Sequence, residues 1–415
     1  MIRWIKNYIG TASAKDIKRI QKEHPDIFIL DVRVLLDGSG NSPKVIREKI
    51  DEGLKALQSG KKIVVVCDQG VSRSNSIAAG IISSFERISF DEALKIVYKE
   101  TKETEIKIEV IESVREAVEG KKTEKTSSFV RLAITGANGF IGKRLVQKLR
   151  ENSKIDFFPI TRNDLDLMKD KILLDIFIKE NQINTLLHLA NPKNYTSNSS
   201  LGETLTMLKN VLDVCSTNNV YLIYPSGWVI FSGYKGEELS VDENFAPKPK
   251  DTYSYTKFLA EQLVTHWYSD IQYCILRICP VYGEGSDKPK FIWNFIEYAS
   301  ENKDIGVHRY KNGFPKLELI YVDDVCEAII KVIEKKPKGV INIGSGKAVY
   351  VKEVAEKIIK LMNSKSKIYY IDVDDITSSI TLDISKAKKI LGWEPKIKIE
   401  EGLKKIIESI KSKKN

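Results

Sequence analysis

Short apolar runs alternate along this chain with stretches whose apolar residues recur every three or four positions. In the first part, Ile27-Phe-Ile-Leu30 and Lys62-Ile-Val-Val-Val66 read as buried strands. Ile46 to Leu57 and Phe90 to Val97 carry i, i+3/i+4 spacing and read as amphipathic helices. Glu119-Gly-Lys-Lys-Thr-Glu-Lys-Thr-Ser-Ser128 has no apolar side chain larger than a methyl and reads as a linker. Val130-Arg-Leu-Ala-Ile-Thr135 then opens a new strand. Further strands are predicted at Asp156–Ile160, Thr185–Leu189, Val220–Tyr224 and Gln272–Arg277, with helices between them. That alternation is the rhythm of a doubly wound parallel sheet. Past about residue 283 the elements shorten, as in a smaller substrate-side lobe. The pattern therefore predicts two α/β domains, 1–118 and 129–415, joined by a linker at 119–128. The tail from Lys404 to Asn415 reads as a basic helix end that frays.

Composition agrees with more than one domain, because 415 residues exceed an ordinary single core. The formal charge of +10 is spread over Lys-rich helix faces. It implies a solvated surface and anionic substrates rather than nucleic acid. The five cysteines, Cys67, Cys215, Cys274, Cys279 and Cys326, show no paired spacing, so a reducing compartment is expected and no metal site. No apolar leader follows Met1, and no run of about 18 apolar residues occurs. The expectation is a soluble cytoplasmic protein without a membrane partner.

The first candidate chemistry is Cys67-Asp-Gln-Gly-Val-Ser-Arg73-Ser74, placed between a strand and a helix. A loop of this length can turn the backbone N–H groups of Asp68, Gln69, Gly70, Val71, Ser72 and Arg73 inward as an anion nest. The same field favours a thiolate on Cys67. Arg73 offers a bidentate fork to phosphoryl oxygens, and Ser74 a hydrogen bond to the sulfur. The segment, over roughly residues 20–118, resembles the cysteine-dependent dual-specificity phosphatases, which are related to protein-tyrosine phosphatases. That resemblance implies a general acid some thirty residues upstream, where Asp37 stands, with Asp31 as the fallback. It departs from the family at Val66, where a histidine usually precedes the nucleophile. Leu30-Asp-Val-Arg33 also resembles rhodaneses, whose active loop is one residue shorter.

The second is Thr135-Gly136-Ala137-Asn138-Gly139-Phe140-Ile141-Gly142, again between strand and helix. Gly136 permits the turn, Gly139 lets backbone approach a pyrophosphate, and Gly142 lets the helix pack on the strand. Asn138, Phe140 and Ile141 complete the cradle. Arg162, just after the second strand, can neutralise a 2′-phosphate, which favours NADP over NAD. Asp166 is read as an adenine contact, while Leu189, Ala190 and Asn191 would line the cofactor. Downstream, Tyr253 and Lys257 stand one helical turn apart. The ammonium favours the phenolate and can hold the nicotinamide ribose, so Tyr253 becomes a usable acid/base. Tyr255 lies off that face. The lone His188, on an apolar strand, is read as a satisfied core residue.

Together these motifs resemble the extended short-chain dehydrogenase/reductases, the epimerase/dehydratase group that acts on nucleotide sugars. Arg277-Ile-Cys-Pro-Val-Tyr-Gly283, Tyr321-Val-Asp-Asp324, Asn342-Ile-Gly-Ser-Gly346 and Leu391-Gly-Trp-Glu-Pro395 extend the resemblance. It implies a Rossmann domain with a nucleotide-sugar substrate. Aligning Val229-Ile-Phe231 with the family's run puts Gly227 at the position of its catalytic Ser/Thr, leaving Ser226 as the candidate hydroxyl. Gly227-Trp228 stands where dehydratases carry Asp-Glu, which argues against dehydration. Thr161-Arg-Asn-Asp-Leu-Asp-Leu-Met168 resembles the NADP-using deoxysugar reductases, without the Cys/His pair of their epimerising members. A 4-keto reductase or a 4-epimerase fused to a phosphatase is therefore expected. The alternative is a phosphatase regulated by a degenerate NADP(H)-sensing Rossmann domain. Expected partners are a nucleotide sugar and a phosphorylated substrate for the first domain, with a homodimer allowed.

Overall fold

A computed structural model of the chain describes residues 1–120, 129–151, 155–192, 194, 197–268, 270–286 and 288–412. From residue 121 on, the predicted linker lies outside the described residues, as do the last three residues of the tail. The remainder of that tail belongs to a regular helix, Ile399–Ser412, anchored by buried Leu403, Ile406 and Ile407. The chain divides into two compact units, Met1–Ser128 with Leu165–Asn181, and Phe129–Asp164 with Gln182–Asn415.

The first unit holds strands β1 (Arg3–Lys6), β2 (Ile9–Ser13), β3 (Phe28–Asp31) and β4 (Ile63–Cys67). They form one sheet in the order β1-β2-β4-β3, with β2 and β3 parallel to β4 and β1 antiparallel to β2. β4 is buried along its whole length, as its unbroken apolar run requires. Around it lie helices α1 (Ile17–Glu23), α2 (Pro43–Gln58), α3 (Ser72–Glu86), α4 (Phe90–Thr101) and α5 (Ile108–Glu119). A Cβ at Gly53 would stand 2.6 Å from Ile81 Cδ1, and one at Gly80 2.8 Å from Ile50 Cδ1. Glycine is what allows α2 and α3 to lie this close. Ser89 and Glu92 close a reciprocal capping box that starts α4.

The second unit begins with β5 (Val130–Thr135), α6 (Phe140–Arg150) and β6 (Ile155–Ile160). The next helix, α7 (Lys171–Glu180), belongs by its contacts to the first unit. The sequence pattern placed it with everything else after residue 128. Ile172 and Ile176 join the apolar core that contains Ile77, Leu94 and Ile111. The fully buried Asp175 carboxylate meets Lys179 Nζ at 2.6 Å and Arg115 Nη2 at 3.6 Å. Arg115, on α5, is paired in turn with Glu112 and Asp91.

β7 (Thr185–His188), α8 (Asn198–Thr217), β8 (Tyr221–Gly227), β9 (Glu238–Val241), α9 (Thr252–Gln262) and β10 (Tyr273–Ile278) complete the Rossmann rhythm. The central sheet is six-stranded and parallel, in the order Gly339–Ile343, β10, β8, β7, β5, β6. Its sixth strand comes from beyond residue 283, so that part of the chain is not all substrate lobe. Gly339-Val-Ile-Asn-Ile343 is a short apolar run, and pairing with β10 buries its last three residues. Strand order reverses about β5, which leaves a crevice at the carboxyl ends of β5 and β7, where α/β sheets bind ligands.

Candidate functional site

At that crevice β5 ends in Thr135 and the chain turns through Gly136, whose φ is +69°. A Cβ at Gly136 would lie 2.6 Å from Ala190 N, and one at Gly142 would lie 2.5 Å from Gly136 O. Both glycines are thus fixed by backbone packed on backbone. Gly139 differs, since a Cβ there would meet only Gly136 O, at 3.2 Å. It is exposed and precedes the first residue of α6, whose N-terminus has no side-chain cap. Asn138 is exposed beside it, and Phe140 and Ile141 are half-buried. Open N–H groups at a helix N-terminus, bounded by glycine, fit an anionic pyrophosphate. Leu189 N donates to Thr135 O at 3.1 Å and Ala190 N reaches Thr135 Oγ1 at 3.4 Å, which fixes the neighbouring loop. Arg162 is exposed and has no hydrogen-bond or ion-pair partner among the described residues. Asp166 falls in the first unit, where its carboxylate accepts the Met168 N–H at 3.1 Å.

α9 is started by a reciprocal cap in which Asp251 accepts the Ser254 N–H and Ser254 Oγ accepts the Asp251 N–H, each at 2.9 Å. Tyr253 therefore sits in the first turn and Lys257 one turn on, while Tyr255 is 48% exposed on another face. Lys257 is only 4% exposed. Its ammonium donates to Pro225 O of β8 at 3.1 Å and lies 5.2 Å over the Tyr224 ring. Burial pushes its pKa down to about 8. A turn further, buried Glu261 receives the Arg277 guanidinium at 2.8 Å and ties α9 to β10.

Beneath Lys257, the same face of β8 carries Tyr224 and Ser226. Among the described residues both hydroxyls are buried without a hydrogen-bond partner, and so is His188 Nε2. The other His188 nitrogen lies 2.8 Å from Thr135 Oγ1. The histidine is thus half satisfied, not fully as expected, and burial holds its pKa down at about 3, neutral. Tyr224 stacks on His188 with ring centroids 6.1 Å apart, and burial raises its phenol well above the ordinary value. The apolar run Val220–Tyr224 gave Tyr224 no role beyond a strand residue. Only the alternation Leu222, Tyr224, Ser226 along one face could have singled it out.

Residues 132–344 match the model of the NAD dependent epimerase/dehydratase family, just over half of the chain. The chain belongs to that family. It is 28% identical over 315 residues to UDP-glucuronate 4-epimerase of Thermodesulfobacterium geofontis, a match covering 66% of this chain and 94% of that one. It is also 28% identical to dTDP-4-dehydro-6-deoxyglucose reductase of Escherichia coli, over 68% of this chain and 97% of that one. Among solved structures, UDP-glucose 4-epimerase of Thermotoga maritima with UDP-glucose shares the fold. Its TM-score is 0.60 at 23% identity, covering 69% of this chain and 100% of that one.

Two of this chain's motifs have plain structural work. Asp323 binds Arg144 of α6 at 2.8 Å, and Asp324 accepts the N–H groups of Lys396 and Ile397, each at 3.0 Å. Trp393 Nε1 donates to Asp324 O at 3.1 Å, joining the Tyr321–Asp324 and Leu391–Pro395 motifs. At the departure, a Cβ on Gly227 would meet nothing closer than Ile278 O at 3.6 Å. Packing therefore does not forbid a side chain there, although the glycine supplies no hydroxyl.

In the first unit, Cys67 ends β4, 2% exposed, with Sγ 3.4 Å from Ser74 Oγ. Gly70 has φ +71°, and a Cβ on it would stand 2.5 Å from Ala12 C. Ser13 Oγ donates to Asp68 O at 2.6 Å, and Arg3 donates to Gly70 O. These loop carbonyls are thus taken by donors from β1 and β2, while α3 has no side-chain cap. Gln69 is exposed, Val71 half-buried, and Ser72 Oγ accepts the Lys107 N–H at 3.1 Å. Arg73 donates to Leu35 O at 3.0 Å and to Asp68 Oδ2 at 2.5 Å. Asp37 comes within 3.8 Å of Arg73 Nε and pairs with Lys107 at 2.8 Å. Asp31 is instead bound by both arms of Arg33, whose hydrogen bonds hold its carboxyl below the usual range. Of the two aspartates, Asp37 is the one the fold brings to Arg73. All five cysteines are buried and free, and no helix among the described residues is long and apolar enough to cross a membrane.

Proposed function

We propose that the second unit is a nicotinamide-dependent reductase or 4-epimerase acting on a nucleotide sugar. The observation that carries this reading is the buried Lys257, held against Pro225 O one turn from Tyr253. Gly136, Asn138, Gly139, Phe140, Ile141 and Gly142 would hold the pyrophosphate, with Leu189 and Ala190 beside it. Arg162 would meet the 2′-phosphate of NADP, which is favoured over NAD. A bound dinucleotide supplies or takes up hydride at a sugar carbon. Tyr253 gives or receives the proton of the sugar oxygen, and Lys257, charged below about pH 8, steadies the phenolate. Ser226 is the hydroxyl left to polarise that oxygen. The names of the similar proteins, a UDP-glucuronate 4-epimerase and a dTDP-sugar reductase, favour a nucleotide sugar as substrate. A homodimer is compatible with this reading.

Calorimetric titration with NADPH and NADH, then turnover on a keto-sugar found by mass spectrometry of copurified metabolites, tests it. Tyr253→Phe should keep dinucleotide affinity and lose turnover by roughly 10²–10⁴-fold. Tyr255→Phe should change little. Full activity in Tyr253→Phe would end this assignment.

For the first unit we propose a cysteine-dependent phosphatase, with Cys67 as nucleophile, Arg73 and the loop 68–73 as the phosphate site, and Asp37 as acid. Its support is the Cys67–Ser74 contact at the mouth of an uncapped helix. Cys67→Ser should abolish hydrolysis of an aryl phosphate and spare dinucleotide binding. No hydrolysis by the unmutated chain across pH 5–8 would reduce the loop to a binding site. Gly227 favours a second reading, in which the phosphatase is regulated by an NADP(H)-sensing second unit that does no chemistry. Dinucleotide binding without turnover of any sugar, joined to a changed phosphatase rate, would select it.

A further inference from the structure

The loop that follows Cys67 carries its own anion. Asp68 Oδ2 sits 2.5 Å from Arg73 Nη2, and no other carboxylate oxygen approaches that guanidinium as closely among the described residues. The two side chains differ in freedom. Arg73 is 9% exposed and pinned through Nη1 to Leu35 O and, at 3.4 Å, to Arg33 O, whereas the Asp68 side chain is 61% exposed. Arg73 Nε is buried with no hydrogen-bond partner among the described residues, its nearest carboxylate oxygen being Asp37 Oδ1 at 3.8 Å, so it can take one more acceptor. A buried guanidinium with an unused donor, beside an uncapped helix N-terminus, calls for an anion with more oxygens than one carboxylate supplies.

We infer that Asp68 is a resident competitor: its carboxylate occupies the Arg73 fork, and a phosphate monoester binds only by displacing it. The inference rests on reading the loop as a phosphate site. The displaced carboxylate has somewhere to go. Asp68 lines an open depression together with Asp31, Arg33, Val34 and Lys49, where Arg33 is already paired with Asp31 and Lys49 with Glu52, so the freed carboxylate turns to solvent. An ordinary monoanion gains little by exchanging with Asp68, charge for charge. A dianionic phosphate also fills Nε and the backbone N–H groups, so the device favours dianions.

The test uses the full chain and inorganic phosphate, titrated by calorimetry near neutral pH. Asp68→Asn should bind phosphate about tenfold tighter than the unmutated chain, the scale of one charge-assisted hydrogen bond. Arg73→Met should lose binding whether or not Asp68 is also replaced. In crystals of the unmutated chain soaked in phosphate, Asp68 should be off Arg73. Equal or weaker binding by Asp68→Asn, with binding still dependent on Arg73, overturns the inference and leaves the phosphate site standing. So does a phosphate-loaded loop in which Asp68 still holds Arg73. Binding that ignores Arg73 in both backgrounds removes the phosphate site itself, and the inference with it.

Discussion

His188 is a histidine kept neutral by its surroundings: Thr135 takes one nitrogen, burial leaves the other unpaired, and Lys257 adds like charge nearby. Its pKa is about 3 in the fold against 6.5 for the unburied group. Between these values the unfolded chain binds the proton and the folded chain does not, so stability is lost as pH falls below 6.5. The limit for one group is about 1.4 kcal/mol per pH unit. His188→Gln removes the titration, and an amide there can still meet Thr135. Its thermal midpoint should therefore drop less between pH 7 and pH 5 than that of the unmutated chain. Parallel decline of both, followed by circular dichroism, would rule out His188 as a source of acid sensitivity. At this scale the spacing offered Tyr253, Lys257, Cys67 and Arg73 as candidates, and the fold buries Lys257, Cys67 and Arg73. Their partners were not legible in the sequence. Thr135 is 53 residues from His188, and Asp68 looks like any solvated loop acid until Arg73 is seen to hold it.

Strand β5 runs from Val130 to Thr135, as its pattern predicted, and β4 and α4 are displaced from their predicted starts by no more than one residue. Unbroken apolar runs and clear caps explain that legibility. The β1–β2 hairpin was missed because Arg3, Lys6 and Asn7 break up its apolar pattern, and because Gly10 reads as a turn. In the fold Gly10 is a strand residue whose Cβ would lie 2.9 Å from Ile2 Cγ2, so glycine marks close packing there. The glycines of the second unit separate in the same way. Gly136→Ala would combine a positive φ with a contact of 2.6 Å to Ala190 N. It should cost about 1–3 kcal/mol and weaken NADPH binding. Gly227→Ser, in extended backbone where a Cβ meets nothing closer than 3.6 Å, should cost less than Gly136→Ala. Urea unfolding of both variants checks the contrast, and equal losses would contradict it.

Across the whole molecule, the chain divides into two units, and the membership of α7 in the first was not legible in the sequence. Its apolar residues Ile172, Leu174, Ile176 and Ile178 are spread around the helix, a pattern that says "buried" without saying where. Besides Ile172 and Ile176, what ties it to α5 is an ion network whose Arg115–Asp175 and Lys179–Glu112 contacts no spacing rule joins. Removing one partner of a buried pair typically costs about 3–5 kcal/mol. Asp175→Ala should therefore destabilise the first unit and speed amide hydrogen exchange through α4 and α5, read by mass spectrometry on the full chain. Unchanged exchange over residues 90–119 would mean that α7 adds nothing to that unit.

The order of synthesis gives this arrangement a further meaning. When α5 leaves the ribosome at Glu119, the helix that completes its ion network has not yet been made. Another 61 residues, counted from Glu119 to Glu180, must follow before α7 is whole, and β5, α6 and β6 are among them. At about 5–20 residues per second that is a wait of roughly 3–12 seconds. Through that interval the nascent first unit holds Arg115 without Asp175 and an apolar surface without Ile172 and Ile176. α7 is then the part of the chain that completes this surface.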